Sequence, residues 1–208
     1  LLAVNTHGPG QIFNIRKEIK LPSDLDGMKM RVGGGTIEHL ATAVGAVPVL
    51  KPATEVYELL SGGIIDGVFF AKDGITPYKL DEIVTHATFV PGGFYNISFG
   101  WIANPDKWNS IPEADRALIE PLLGEALAAR AGAAFDAADA PGMAALEAAN
   151  IPVHEAGPEF IAELQEKLAD LEGKWFAAAE AKGVDGKAAL EALRAEIETV
   201  KAEYAAKN

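Results

Sequence analysis

The 208 residues contain no cysteine. Disulfide staples, thiolate nucleophiles and cysteine-ligated zinc are therefore excluded. Basic side chains are scarce: 18 Lys and Arg stand against 30 Asp and Glu, a net charge of −12. Nucleic acids and anionic membranes demand basic patches, so neither is an expected partner. The deficit is uneven. Residues 1–100 carry 8 basic and 10 acidic side chains, and residues 101–208 carry 10 and 20. The first half is close to neutral and is the better place for an anion site. The second half reads as solvated helices. No apolar run approaches the roughly 18–20 residues of a membrane span, so the chain is not expected to be membrane-embedded. No secretory signal is visible. However, the chain opens LLAVNTH, without Met and like the middle of a strand, so we read this end as processed or truncated.

Catalytic signatures are missing as well. There is no GxSxG elbow and no HExxH pair, and no two carboxylates stand out as an acid/base dyad. His7, His39, His86 and His154 are scattered and read as surface or core residues. Asp66, Asp73, Asp81 and Glu82 fall on different predicted elements, without the spacing of a hard-metal loop. No catalytic residue, metal or cofactor is expected. The run Gly33-Gly34-Gly35 has neither the P-loop nor the dinucleotide-fold spacing. It reads as a sharp turn beside a ligand or another backbone.

What is present is a βα rhythm. Extended segments are expected at 1–7, 12–19, 28–32, 46–51, 64–70, 86–90, 94–103 and 151–155. Thr36 is expected to cap a helix running to Val44, Thr54 another, and YKLDEIV (78–84) forms a third. Strands and helices alternating over residues 28–84 argue for parallel strands with right-handed crossovers. After Pro105 the chain becomes rich in Ala and Glu and is helical. SIPE (110–113) has the form of a capping box, and breaks are expected at Pro141-Gly142, at Gly173 and over Gly183–Gly186.

Arg31 ends the strand MKMRV, just before the glycine run. A strand's carboxyl end is where α/β sheets bind ligands, and a guanidinium fork suits a carboxylate. The competing reading is a surface charge on an edge strand. Phe69 and Phe70 close IIDGVFF and point to opposite faces by alternation. One should enter the core, and the other could line a cleft.

Several segments taken together resemble one family. They are DLDGMKMRV (24–32), VGAVPVLKPATEVYELLSGGIIDGV (44–68), YKLDEIVTHAT (78–88) and WNSIPEADRALI (108–119). The set is similar to the substrate-binding proteins of tripartite ATP-independent periplasmic (TRAP) transporters, the DctP-like group, from about residue 8 to about residue 165. The resemblance implies a periplasmic, two-lobed α/β protein of type II-like architecture. Such a protein closes over an organic acid and hands it to a membrane permease, and is not an enzyme. It assigns the carboxylate salt bridge to Arg31. Where the family often has Asn, this chain has Phe70, which favours a ligand with an apolar or aromatic body over a sugar acid. Asn96 and Phe94, on the segment matching the strand that returns between the lobes, are also expected at the ligand. A second basic residue known in some relatives has only His7 and Gln11 as counterparts.

The same resemblance divides the chain. Residues 1–8 are expected to be a remnant of a first lobe that largely precedes residue 1. Residues 9–96 form the second lobe, 97–150 return to the first, and 151–208 supply a strand and long helices across both. An enzyme, or a ligand-sensing module, on a similar α/β scaffold is the alternative.

Overall fold

The computed structural model describes residues 1–207. Contacts divide the chain into two compact bodies, residues 1–163 and the segment from Leu164 onward. The divisions expected from the sequence at 8/9, 96/97 and 150/151 all fall inside the first body.

The first body holds two sheets. The larger has β2 (Gly10–Asn14), β3 (Lys29–Val32), β4 (Val47–Leu50), β5 (Gly67–Ala71), β6 (His86–Phe89) and β8 (Val153–Glu155), in the order β4-β3-β5-β2-β6-β8. The strands β3, β4 and β5 run parallel, joined by α1 (Thr36–Ala43) and α2 (Val56–Ser61), as the βα rhythm predicts. β2 runs antiparallel to both β5 and β6, so the sheet is mixed. All five residues of β2 are buried, which fits a central strand covered on both faces. Pro48 has no N–H to give a ladder, and it sits in β4, at the sheet's edge. The smaller sheet is an antiparallel ribbon of β1 (Ala3–Thr6) and β7 (Ser98–Trp101). It leaves Val4, Trp101 and Ile102 exposed.

Several expected elements came out shorter. The strand from Ile12 stops at Asn14, whose Oδ1 accepts from the Arg16 and Lys17 N–H groups at 2.8 and 2.9 Å. This side-chain turn competes with the ladder. Only Ser98–Trp101 of 94–103 is strand. Its first residues instead cross from the large sheet to the small one, held where the Phe94 N–H donates to the Gly10 carbonyl and the Gly10 N–H donates to the Tyr95 carbonyl. The segment 78–84 makes one 3-10 turn, Leu80–Glu82, after a left-handed Lys79. Gly35, not Thr36, is the residue before α1, and no side chain caps that helix. Glu55, not Thr54, precedes α2. The expected capping box is absent: the Ser110 hydroxyl donates to the Lys107 carbonyl as α3 (Pro105–Asn109) ends, and Pro112 precedes α4 (Glu113–Ile119).

The largest departure is α5 (Glu125–Ala148), which runs straight through Pro141-Gly142. Packing overrides the local break. A Cβ on Gly142 would lie 2.1 Å from the Lys72 carbonyl oxygen, so only glycine lets the helix approach that backbone. One turn further, Leu146 is 1% exposed and joins the core of Phe13, Val68, Ile75 and Leu80. At the other end of the same helix, Phe135 stacks on Phe99 of β7 at 5.8 Å. The helix therefore touches both sheets. The helix α6 (Pro158–Glu180), which begins in the first body, also continues through Gly173, whereas the expected break over 183–186 is present before α7 (Gly186–Lys207). Arg194 of α7 meets Glu172 of α6 at 3.3 Å.

Asp66, weighed above as a metal ligand, instead joins strands. Its Oδ2 accepts from the Lys29 N–H at 2.8 Å, and its Oδ1 from Arg16 Nε at 2.6 Å. Burial alone would raise this carboxyl. The Lys29 N–H and the Arg16 guanidinium outweigh it and hold the group below its ordinary value. A depressed carboxylate contributes stability above its unfolded value, about 4, and loses it as pH falls through the folded value. Asp66→Asn should lower the urea midpoint at neutral pH and make its decline between about pH 5 and 3 shallower than in the wild type. Parallel declines in the two proteins would contradict this role.

Candidate functional site

The carboxyl ends of β3 and β5 meet the start of β2 on one side of the large sheet. There a cavity of about 340 Å³ opens between the two sheets. Arg31, Gly33, Phe70 and Ala71 line it from β3 and β5 and the residue just past β3. His7, Ile97 and Phe99 line it from the ribbon and its connections, and Phe135 from α5. Asp73, Tyr78 and Tyr95 complete most of the wall. The volume suits a small organic molecule. A roomier recess of about 450 Å³ lies at the α6–α7 turn, but its charged residues Glu180, Asp185 and Lys187 are exposed. It offers no buried polar group to orient a ligand.

β3 lies between β4 and β5, so Arg31 is not on an edge strand. The residue is only 8% exposed. Its Nε donates to the Lys51 carbonyl at 2.8 Å, and its Cζ stands 5.3 Å from the centre of the Phe70 ring, a cation–π distance. No carboxylate pairs with it among the described residues. Burial pushes the guanidinium below its ordinary value, with Tyr95 and Tyr78 acting the other way. An Arg stays charged through such a shift. The site thus holds a desolvated cation with nitrogens to spare. The glycine run provides the turn: Gly34 and Gly35 have φ of 101° and 69°, and the guanidinium passes beside Gly33.

Phe70 packs edge-on against Tyr78 at 5.2 Å. Tyr95 donates its hydroxyl to the Phe69 carbonyl at 3.0 Å and meets the His7 ring edge-on at 5.4 Å. Burial pushes the Tyr95 hydroxyl up, and that group stays a neutral donor.

The expected site residues separate into two groups. The structure brings Arg31 and Phe70 together at the cavity. Phe94 is elsewhere: it is 4% exposed and packs in the core against Phe69 at 4.9 Å and Phe160 at 6.3 Å. Asn96 also lies outside the lining. Its Nδ2 donates to the His7 carbonyl at 3.2 Å, tying together the two chain crossings between the sheets. Both were expected at the ligand from the family resemblance, and both fall on 94–97, which is a crossing and not a strand. Of the two counterparts to a second basic residue, His7 lines the cavity. Gln11 is buried and accepts from the Val90 N–H at 2.7 Å. The sequence reading passed over Tyr78, Tyr95, Ile97, Phe99 and Phe135 as lining residues. Alternation was an available signal for Phe99, which lies in β7; Ile97 precedes that strand.

Against known proteins, the family described as bacterial extracellular solute-binding protein, family 7 (DctP), matches residues 1–178. The chain belongs to this family of transport-associated binding proteins. It is 42% identical to a TRAP periplasmic solute-binding protein of Bordetella bronchiseptica solved with bound (R)- and (S)-mandelate. That likeness has a TM-score of 0.91 and covers 96% of this chain and 64% of that one. It is 32% identical, with a TM-score of 0.84, to a TRAP solute-binding protein from an unidentified marine microbe, specific for aromatic acids and solved with metahydroxyphenylacetate. Here 90% of this chain and 59% of that one are covered. Among curated sequences it is 28% identical to the outer membrane transporter protein TsaT of Comamonas testosteroni, over 94% of this chain and 58% of TsaT. The chain therefore spans about three-fifths of the length of these relatives. Its mixed α/β architecture is that of TRAP solute-binding proteins. No helix among the described residues is long and apolar enough to cross a membrane.

Phe70 owes its place to Gly74. A Cβ there would lie 1.9 Å from Cε1 of the ring. Gly74→Ala must displace Phe70 or the 72–74 turn, and should cost about 1–3 kcal/mol in stability by urea denaturation. An unchanged midpoint would mean that the ring swings aside freely.

Proposed function

We propose that this chain is the ligand-binding part of a periplasmic TRAP solute-binding protein. In this reading it captures a monocarboxylate with an aromatic body and delivers it to a TRAP permease. One observation carries the proposal: Arg31 is a buried, unpaired guanidinium facing an aromatic-walled cavity. Burying a charge without a partner is costly. An incoming carboxylate supplies the missing partner through two parallel charge-assisted hydrogen bonds. Phe70, Phe99 and Phe135 then offer apolar surface to the rest of the molecule, which favours a ring over a sugar. The mandelate of the Bordetella protein and the metahydroxyphenylacetate of the marine protein are ligands of this kind.

Membership in a family of binding proteins supports capture and release over turnover. It supports the periplasm as the place of action, and a permease as the partner. The lobe assignment of residues 1–8 and 97–150 belongs to the same proposal. The separate β1–β7 ribbon supports it, since that ribbon shares no ladder with the large sheet among the described residues.

The test is calorimetry with benzoate, phenylacetate and mandelate, together with the uncharged amide of each. Acids should bind and amides should not. Arg31→Ala should weaken the best acid by about 2–5 kcal/mol, the range for removing one partner of a desolvated pair, and Arg31→Lys by less. Affinity retained in Arg31→Ala would sink the clamp.

A further inference from the structure

The cavity holds a second ionisable group, and the clamp does not use it. We propose that Asp73 accepts a hydrogen bond from a hydroxyl on the bound acid and so selects hydroxylated aromatic acids over their deoxy counterparts. The inference rests on the carboxylate reading of Arg31 and adds a second polar contact to it.

Asp73 sits in the turn that follows β5, within the segment Lys72–Gly74, and faces the same cavity as Arg31. Its Oδ1 is buried and has no hydrogen-bond partner. Tyr95 lies in the field of both charges, since Arg31 pulls its hydroxyl down and Asp73 pushes it up. The nearby acid, Asp139, already has a counter-ion in Lys72 at 3.4 Å. Asp73 has none. Burial pushes its carboxyl up, His7 pulls it down, Asp139 adds to the upward push, and its own backbone N–H acts downward; the net direction is up.

The surrounding wall supplies no proton to that oxygen. Tyr95 donates its hydroxyl to the Phe69 carbonyl. His7 Nδ1 is in short contact with the Gly8 carbonyl, and its ring makes no hydrogen bond to the Asp73 Oδ1 in the structure. Phe70, Ile97, Phe99 and Phe135 have no donor. A buried acceptor is normally satisfied, so the donor is left to the contents of the cavity. It is not a second carboxylate, because two like charges facing each other across a small cavity repel. The ligand's anion therefore goes to Arg31, and a neutral hydroxyl goes to Asp73.

Calorimetry at pH 7 with (R)- and (S)-mandelate, 3-hydroxyphenylacetate, phenylglycine and phenylacetate tests this, on wild type, Asp73→Asn and Asp73→Ala. At least one hydroxylated acid should bind about tenfold more tightly than phenylacetate, the gain of one hydrogen bond. Asp73→Ala should reduce that ratio to about twofold or less, and Asp73→Asn, which keeps an acceptor, should retain part of it. No preference in the wild type, or a preference that survives in Asp73→Ala, would overturn the assignment. So would phenylglycine binding more tightly than mandelate, which would make the donor an ammonium. Should none of these acids bind the wild type, the carboxylate reading falls and the Asp73 role falls with it. The wild-type ratio is readable even if a variant does not fold.

Discussion

The arrangement depends on one unpaired charge. Arg31 is desolvated by its strand, by the Phe70 ring and by the glycine turn beside it, and among the described residues its one acceptor is the Lys51 carbonyl. Folding has already met the cost of stripping water from the guanidinium, and no carboxylate among the described residues repays it. A site organised in this way is pre-formed for an anion. It also reconciles the proposed carboxylate ligand with a net charge of −12: the local field is set by a buried cation, and the acidic excess lies mostly on the later helices.

The parts around Arg31 hold it and shape the space in front of it. The parallel trio of β4, β3 and β5 places Arg31 and Phe70 at adjacent strand ends. The antiparallel β2 brings in the His7 crossing from the opposite side. Asn96 and the Gly10 backbone fasten the two crossings to each other, and α5 braces both sheets through Phe135 and Gly142. Family membership fits this plan: a small cavity lies between two sheets, with a cation on one wall and rings around it, in a family of solute-binding proteins.

Much of the sheet was legible from alternation and glycine punctuation. MKMRV and the two helices that follow it form close to where expected, the strand of IIDGVFF begins only at Gly67, and strand direction followed from the βα alternation. Errors gathered wherever a segment's fate was decided by distant residues. Pro141-Gly142 looked like a break, yet it marks the place where α5 meets the Lys72 backbone. FYNISFGWIA read as one strand, yet its first residues cross between sheets. Local propensity describes a segment as if alone, and neither case is local.

The sequence by itself determined the strand ends and which of them carries the cation, because hydrophobic period and glycine placement act over a few residues. It also determined the absence of cysteine chemistry and the uneven charge. Only the tertiary structure decided that Arg31 is buried and lacks a counter-ion. Only there do Tyr95, Phe99 and Phe135, from three separate segments, close a single cavity, while Phe94 and Asn96 turn to packing and to fastening the crossings. Burial and pairing are properties of what surrounds a residue, and those surroundings come from parts of the chain up to about a hundred positions away.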